Sequence, residues 1–233
     1  MAELSGKERE DYIRRLFARL AHRYELANHW MTWGQDMKWR GRVIEWANIP
    51  PAGRLLDIGT GTGDLARLAL QRDKNLFTVG ADFSSEMMRI GHDSVGGCMI
   101  SWLNNNALEL PFASQTFDAV VSGFLVRNVA DLEQALAEQY RVLKVGGHMV
   151  CLDSTPPPQD LWHLPVKLYL EIAIPAIGGL LTGDVKAYRY LPQSTRRFLP
   201  VDQLAACMQK VGFKDVHYHC FMAGTIAIHR GCR

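Results

Sequence analysis

The segment Leu55-Leu56-Asp57-Ile58-Gly59-Thr60-Gly61-Thr62-Gly63-Asp64 constrains the fold more than any other stretch of this chain. A short apolar run leads into a turn with glycine at alternate positions, and a helical pattern over 64–72 follows without a spacer. Glycine lets the backbone take positive φ and approach a ligand closely, so the segment reads as a strand, a ligand-cradling turn and a helix. The surroundings repeat that alternation. Apolar runs predict strands near 54–58, 77–81, 99–103, 119–122 and 148–153, with helices over 64–72, 84–93 and 132–143 between them. Strands buried on both faces and separated by helices make a doubly wound, mostly parallel α/β sheet. A further helix over 204–211 and strands over 215–218 and 225–229 close the chain, giving seven strands. The turn Lys144-Val-Gly-Gly147 supplies the glycines to leave one helix and enter the next strand.

Two segments stand outside the alternation. From Lys7 to about Asn28, Tyr12, Ile13, Leu16, Phe17, Leu20, Ala21 and Tyr24 fall on one helical stripe, which predicts a single amphipathic helix. A second helix over 37–46 ends at Pro50-Pro51 and completes an N-terminal helical cap. Residues 161–181 are mostly apolar, but His163, Lys167 and Glu171 and the breaks at Pro165 and Pro175 do not suit a span of roughly 20 apolar residues. They read as an inserted helical lid. The organisation expected is one domain over 1–233: cap 1–50, ligand-binding core 51–155, lid 156–197, and a terminal helix with strands 198–233.

Charge narrows the partners. Lys plus Arg number 26 against 24 Asp plus Glu, without a basic block, so no nucleic acid partner is expected. Five cysteines with no C-x-x-C pair suit a reducing compartment, and the charged N-terminus lacks the apolar stretch of a secretory signal, which predicts a cytoplasmic protein. No metal site is expected, since His217-x-His219 lacks a third ligand at motif spacing.

The glycine loop also satisfies the G-x-G-x-x-A dinucleotide pattern through Gly61, Gly63 and Ala66. Its flanking Asp57 and Asp64 argue against that reading, because they repel a pyrophosphate and suit a ligand carrying cationic sulfonium and amino groups. Asp82, followed by Phe83, ends the second strand, where an acidic side chain accepts hydrogen bonds from ribose hydroxyls. Asn106-Ala107 follows the third strand, ahead of Leu110-Pro111-Phe112 and Phe117-Asp118. That order resembles the class I S-adenosylmethionine methyltransferases, with a Rossmann-like sheet and the residue at Asn106 or Ala107 beside the adenine. The resemblance implies S-adenosylmethionine as cofactor, held by Asp57, Gly59, Thr60, Gly61, Thr62, Gly63, Asp82, Phe83, Asn106, Ala107 and Gly123. Two plainer readings stay open: Asp82 as a cap for the helix beginning at Ser84–Ser85, and Asn106 as a turn residue.

A narrower resemblance spans nearly the whole chain. Phe17-Ala-Arg-Leu-Ala-His-Arg-Tyr24-Glu-Leu-Ala-Asn28, the cofactor loop, Phe124-Leu-Val-Arg127-Asn128-Val129, Tyr140-Arg-Val-Leu-Lys-Val-Gly-Gly147, Tyr188-Arg-Tyr190-Leu-Pro-Gln-Ser194 and Ala223-Gly-Thr-Ile-Ala-Ile-His229 are similar to the ubiquinone/menaquinone biosynthesis C-methyltransferases. The resemblance implies methyl transfer to a ring carbon of a quinol with a polyprenyl tail, without a metal. It makes Arg127 the candidate for stabilising the phenolate, with Asn128 and Tyr190 orienting the ring or its hydroxyls and Tyr24 closing over it. Tyr24 and Tyr190 fit core packing as well, and Arg127 fits a structural ion pair. Leu125 stands where that family has glycine, which places a bulky side chain near the expected substrate wall. The lid and N-terminal helix would receive the tail at a membrane surface, or else form a dimer interface or ordinary core. The alternatives carried forward are a methyltransferase acting on a soluble small molecule and a non-catalytic nucleotide-binding protein.

Overall fold

The computed structural model describes residues 6–21, 23–157 and 163–233. Its centre is a seven-stranded sheet: β1 (Arg54–Ile58), β2 (Phe77–Asp82), β3 (Ser101–Asn104), β4 (Phe117–Gly123), β5 (Leu143–Ser154), β6 (Lys214–Phe221) and β7 (Ile226–Cys232). The strand order is β3-β2-β1-β4-β5-β7-β6. Strands β1 to β5 pair in parallel, while β7 runs antiparallel between β5 and β6. This is the doubly wound sheet that the alternation predicts. Successive side chains of a strand point to opposite faces, and both faces are buried. Leu55 packs with Val43, Ile44, Leu65 and Ala69, while Leu56 packs with Leu136, Leu204 and Met208.

The helices α1 (Gly6–Leu20), α2 (Tyr24–Met31), α3 (Asp36–Ala47), α4 (Asp64–Arg72), α5 (Ser85–Asp93) and α6 (Leu132–Val142) precede α7 (His163–Leu168), α8 (Ile174–Thr182), α9 (Val185–Arg197) and α10 (Val201–Val211). Caps explain two of the starts: Ser84 accepts from the Met87 N–H at 3.4 Å and Asp131 from the Gln134 N–H at 3.0 Å.

The differences from the sequence reading have local causes. The single helix expected from Lys7 to Asn28 is two, because α1 packs against α5 while α2 packs against α8, and one straight rod cannot serve both directions. Lys144–Gly147 belongs to β5 rather than to a turn. Gly146 takes φ 78°, and the pairing with β4 shifts register between Phe117 and Ala119, so the glycines form an irregular strand entry. The lid is longer than its apolar stretch. A π-helical turn over Tyr169–Ala173 joins α7 to α8, and α9 follows with Pro192 inside it. Cap and lid share a small core of their own, in which Leu16, Leu20, Ala27, Met31 and Tyr188 are buried together.

Candidate active site

In an open α/β sheet the ligand crevice lies at the carboxyl ends of the strands where the order reverses, here between β1 and β4. A cleft of about 720 Å³ opens there, lined by Asp57, Gly59, Thr60, Gly61, Thr62, Asp82, Phe83 and Gly123 of the expected set. It continues into a second cavity of about 520 Å³ that holds Asn106, Ala107 and Leu110 and shares Gly59, Asp82 and Phe83 with the first. Gly63 lines neither. It takes φ 90° at the start of α4, and a Cβ there would stand 2.7 Å from the Trp102 ring, so its smallness serves packing.

The loop sets an acidic side chain of its own at the start of α4. The Asp57 Oδ2 accepts from Thr60 Oγ1 at 2.7 Å and from the Ala66 N–H at 3.3 Å, so a carboxylate of the chain itself occupies the N-terminal end of α4 where a pyrophosphate would bind. Its Oδ1 is buried without a partner. Burial raises the Asp57 carboxyl to about 7, against hydrogen bonds from Thr60 and Ala66 that act to lower it. An orphaned oxygen of this kind suits a cationic ligand, which would both pair it and hold it ionised.

Asp64 lines the cleft too, as its sequence position suggested, but with cationic partners of its own. Its carboxylate is held between Arg40, at 2.7 Å, and Arg67, at 2.6 Å, so its charge is already met. Asp57 and Asp82 line the same cleft without a salt bridge among the described residues. Asp82 accepts from the Gly61 N–H and the Ser84 N–H, both at 2.8 Å, and burial again raises its carboxyl. It is not the cap of α5, since Ser84 takes that part. The Asn106 side chain does make the turn, accepting from the Leu108 N–H at 3.1 Å, while still lining the second cavity.

The turn after β4 divides the expected catalytic residues between two spaces. Asn128 lines the cofactor cleft, donates to the Phe124 carbonyl at 3.0 Å and accepts from the Tyr190 hydroxyl at 2.9 Å. Arg127 lines a different, largely apolar cavity of about 690 Å³ between the lid and the sheet. Its guanidinium pairs with the Asp153 carboxylate, which also accepts from the Arg127 N–H at 3.1 Å. Phe124 is a wall of both spaces. It takes φ 60°, a conformation that costs a residue with a Cβ roughly 1–2 kcal/mol and that the surrounding structure must hold in place. The Phe124 N–H to the Leu152 carbonyl at 2.7 Å and the Arg127 guanidinium 5.3 Å from its ring centre do so.

Leu125 is a wall of the cofactor side. It lies over the cofactor loop, where a Cβ on Gly59 would be 2.8 Å from its Cδ1, and it lines both cofactor cavities but not the apolar one. Tyr24 opens α2, but its side chain is outside the described residues, as is His22. Ile13, Phe17, Arg40 and Met87 line the cleft unannounced; only the helical stripe through Ile13 and Phe17 hinted at the first two. His217 and His219 make ring contacts with Trp46 and Phe221.

A Rossmann-like sheet with this cleft and this acidic glycine loop defines a class I S-adenosylmethionine-dependent methyltransferase. Solved structures share the fold: an S-adenosylmethionine-dependent methyltransferase from Thermotoga maritima superposes with a TM-score of 0.66 at 20% identity, covering 94% of this chain and 98% of that one. The Haemonchus contortus phosphoethanolamine N-methyltransferase 2, solved with S-adenosyl-L-methionine, gives 0.64 at 16% identity, covering 89% and 56%. The profile of the ubiE/COQ5 methyltransferase family matches residues 5–233, and the chain belongs to that family. Its relatives include a ubiquinone/menaquinone biosynthesis C-methyltransferase of Desulfotalea psychrophila, 43% identical over 95% of this chain and 90% of that protein. A demethylmenaquinone methyltransferase of Thermus thermophilus is 40% identical over 94% of this chain and 100% of its own length.

Proposed function

We propose that this enzyme methylates a ring carbon of a demethylated polyprenyl quinol, a demethylmenaquinol or related benzoquinol. The observation that carries the reading is the apolar cavity beside the cofactor cleft, with Phe124 as the wall common to both. S-adenosylmethionine supplies an electrophilic methyl group and leaves as a neutral thioether. In this reading Asp57 balances its cationic amino group, Asp82 accepts from the ribose hydroxyls, and Asn106 and Ala107 flank the adenine. The acceptor carbon becomes nucleophilic once a ring hydroxyl has passed its proton to solvent, and Arg127 stabilises the resulting oxyanion. The carbon-sulfur bond breaks as the carbon takes the methyl group, and the ring hydrogen on that carbon then leaves as a proton to solvent, restoring the aromatic ring. Arginine keeps its own proton, so it acts as a fixed charge rather than as the base. Arg127 lines the cavity and its guanidinium pairs with Asp153, which is not among the lining residues. Asn128, held by Tyr190, fixes the turn that aligns the two spaces. Such alignment lowers a barrier by several kcal/mol, up to ~10 in ideal cases.

The tail leaves the cavity toward a membrane surface. Met31, Thr32, Tyr169 and Leu170 line the cavity, and beside them Trp30 and Trp33 are 61% and 74% exposed and Ile172 is 62% exposed. The Tyr169 hydroxyl donates to the Met31 carbonyl and joins the two segments. Among the described residues no helix is long and apolar enough to cross a membrane, so the contact proposed is peripheral.

The test follows label from S-adenosylmethionine into a reduced demethylmenaquinol carried in anionic vesicles, and into the same ring with a short soluble tail. Transfer to both is expected, with Trp30→Ser/Trp33→Ser raising KM for the vesicle-borne acceptor alone. Transfer to neither, while S-adenosylhomocysteine still binds, would sink the quinol assignment and move a soluble acceptor to first place. An equal change in KM for both would remove the membrane contact and leave the ring assignment standing.

A further inference from the structure

Among the described residues, Asn28 brings to the apolar cavity a buried donor that its surroundings leave unsatisfied. Asn28, on α2, is only 8% exposed, lines the cavity, and its Nδ2 has no hydrogen-bond partner. The other polar side chains on that wall are already engaged. Ser154 and Thr195 share a hydrogen bond of 2.7 Å, and Thr225 donates to the Met222 carbonyl at 2.8 Å. Thr32 donates to Asp36 at 3.1 Å, Tyr169 to the Met31 carbonyl, and Arg127 pairs with Asp153. Leaving a buried donor unpaired costs on the order of 1–3 kcal/mol, and such a group is explained when a ligand supplies the acceptor.

We infer that the Asn28 carboxamide donates a hydrogen bond to an oxygen of the acceptor ring, fixing it from the α2 side of the cavity. This rests on the acceptor being a ring with oxygen substituents, as proposed above. Because α2 belongs to the cap, the contact also ties acceptor binding to the docking of α2 on α8. A substrate that fills the cavity thereby completes the hydrogen bonding of the cap.

The prediction separates a binding group from a structural one. A structural asparagine loses stability when replaced by leucine, whereas a donor kept unsatisfied for a ligand does not. Asn28→Leu should therefore melt no lower than wild type in the absence of ligand. It should bind S-adenosylhomocysteine with unchanged affinity, since Asn28 does not line the cofactor cleft. Its Kd for 1,4-dihydroxynaphthalene, held reduced and titrated calorimetrically into the S-adenosylhomocysteine complex, should rise about three- to tenfold, the worth of one neutral hydrogen bond. An unchanged Kd for that probe would overturn the inference. So would a variant that melts lower and loses cofactor and probe together, which would mark Asn28 as structural. If wild type binds the cofactor but not the probe, the ring reading itself fails and Asn28 falls with it.

Discussion

Asp57 keeps its proton to about pH 7 in the free protein because it is buried with one oxygen unmet. The unfolded chain gives that proton up near 3.8. Stability from this group is therefore fully present below about pH 4, is lost as pH rises toward 7, and is absent above it. A cationic ligand reverses the preference by favouring the ionised form. Affinity for S-adenosylhomocysteine, which retains the amino group, should therefore weaken about tenfold per pH unit below 7 and level off above it. Asp82 is shifted in the same direction, so the control is Asp57→Asn, whose titration by calorimetry should lose most of the slope. A slope equal to wild type would assign the proton to another group. Arg127 poses the second residue-scale test. Removing one partner of a buried ion pair costs about 3–5 kcal/mol, whereas replacing both with apolar side chains is often neutral. Chemical denaturation should show Arg127→Met strongly destabilised and Arg127→Met/Asp153→Leu recovering most of the loss, with both inactive in methyl transfer if the guanidinium stabilises the oxyanion. Full activity in the stable double variant would reduce Arg127 to a structural residue.

At the scale of elements, what could be read from sequence was what local pattern determines. The extents of β1 and α4 follow from the apolar run, the glycines and the amphipathic spacing, and the structure places them at Arg54–Ile58 and Asp64–Arg72. The break between α1 and α2 was not legible, since the apolar stripe continues across it and only the direction of packing differs. Nor was α9, whose Pro192 argues against a helix when read alone. The lid is held by one close approach. Gly178 on α8 lies against Tyr188 on α9, and a Cβ there would come within 2.1 Å of the ring. Gly178→Ala should lower the thermal midpoint, as overpacking of about 1–3 kcal/mol does. It should also raise KM for the quinol while leaving S-adenosylhomocysteine affinity intact, because the cofactor cleft does not include α8. Equal losses of acceptor and cofactor binding would show that lid and cleft are one unit.

Across the whole molecule, the loop spelled out its cofactor chemistry while the acceptor side stayed hidden. Asp57, Gly59, Gly61 and Asp82 lie on or just after two adjacent strands, so their meeting is dictated by the β1–β2 pairing. The ion pair of Arg127 with Asp153, the apolar space under the lid and the orphaned Asn28 donor need the β4–β5 pairing and the docking of the cap before they exist. No spacing in the chain announces them. The same distance hid the partner of Asp64, which meets Arg40 from the preceding helix while lining the cleft. Transfer of the methyl group from the cleft to a ring carbon held in the apolar cavity joins the two halves of the proposed site. It is tested most directly with S-adenosylmethionine labelled with carbon-13 at the methyl and a reduced demethylmenaquinol, reading the product by NMR. A single labelled methyl on a ring carbon beside a hydroxyl-bearing carbon is predicted; a labelled methoxy group, or label on no ring position, would contradict it.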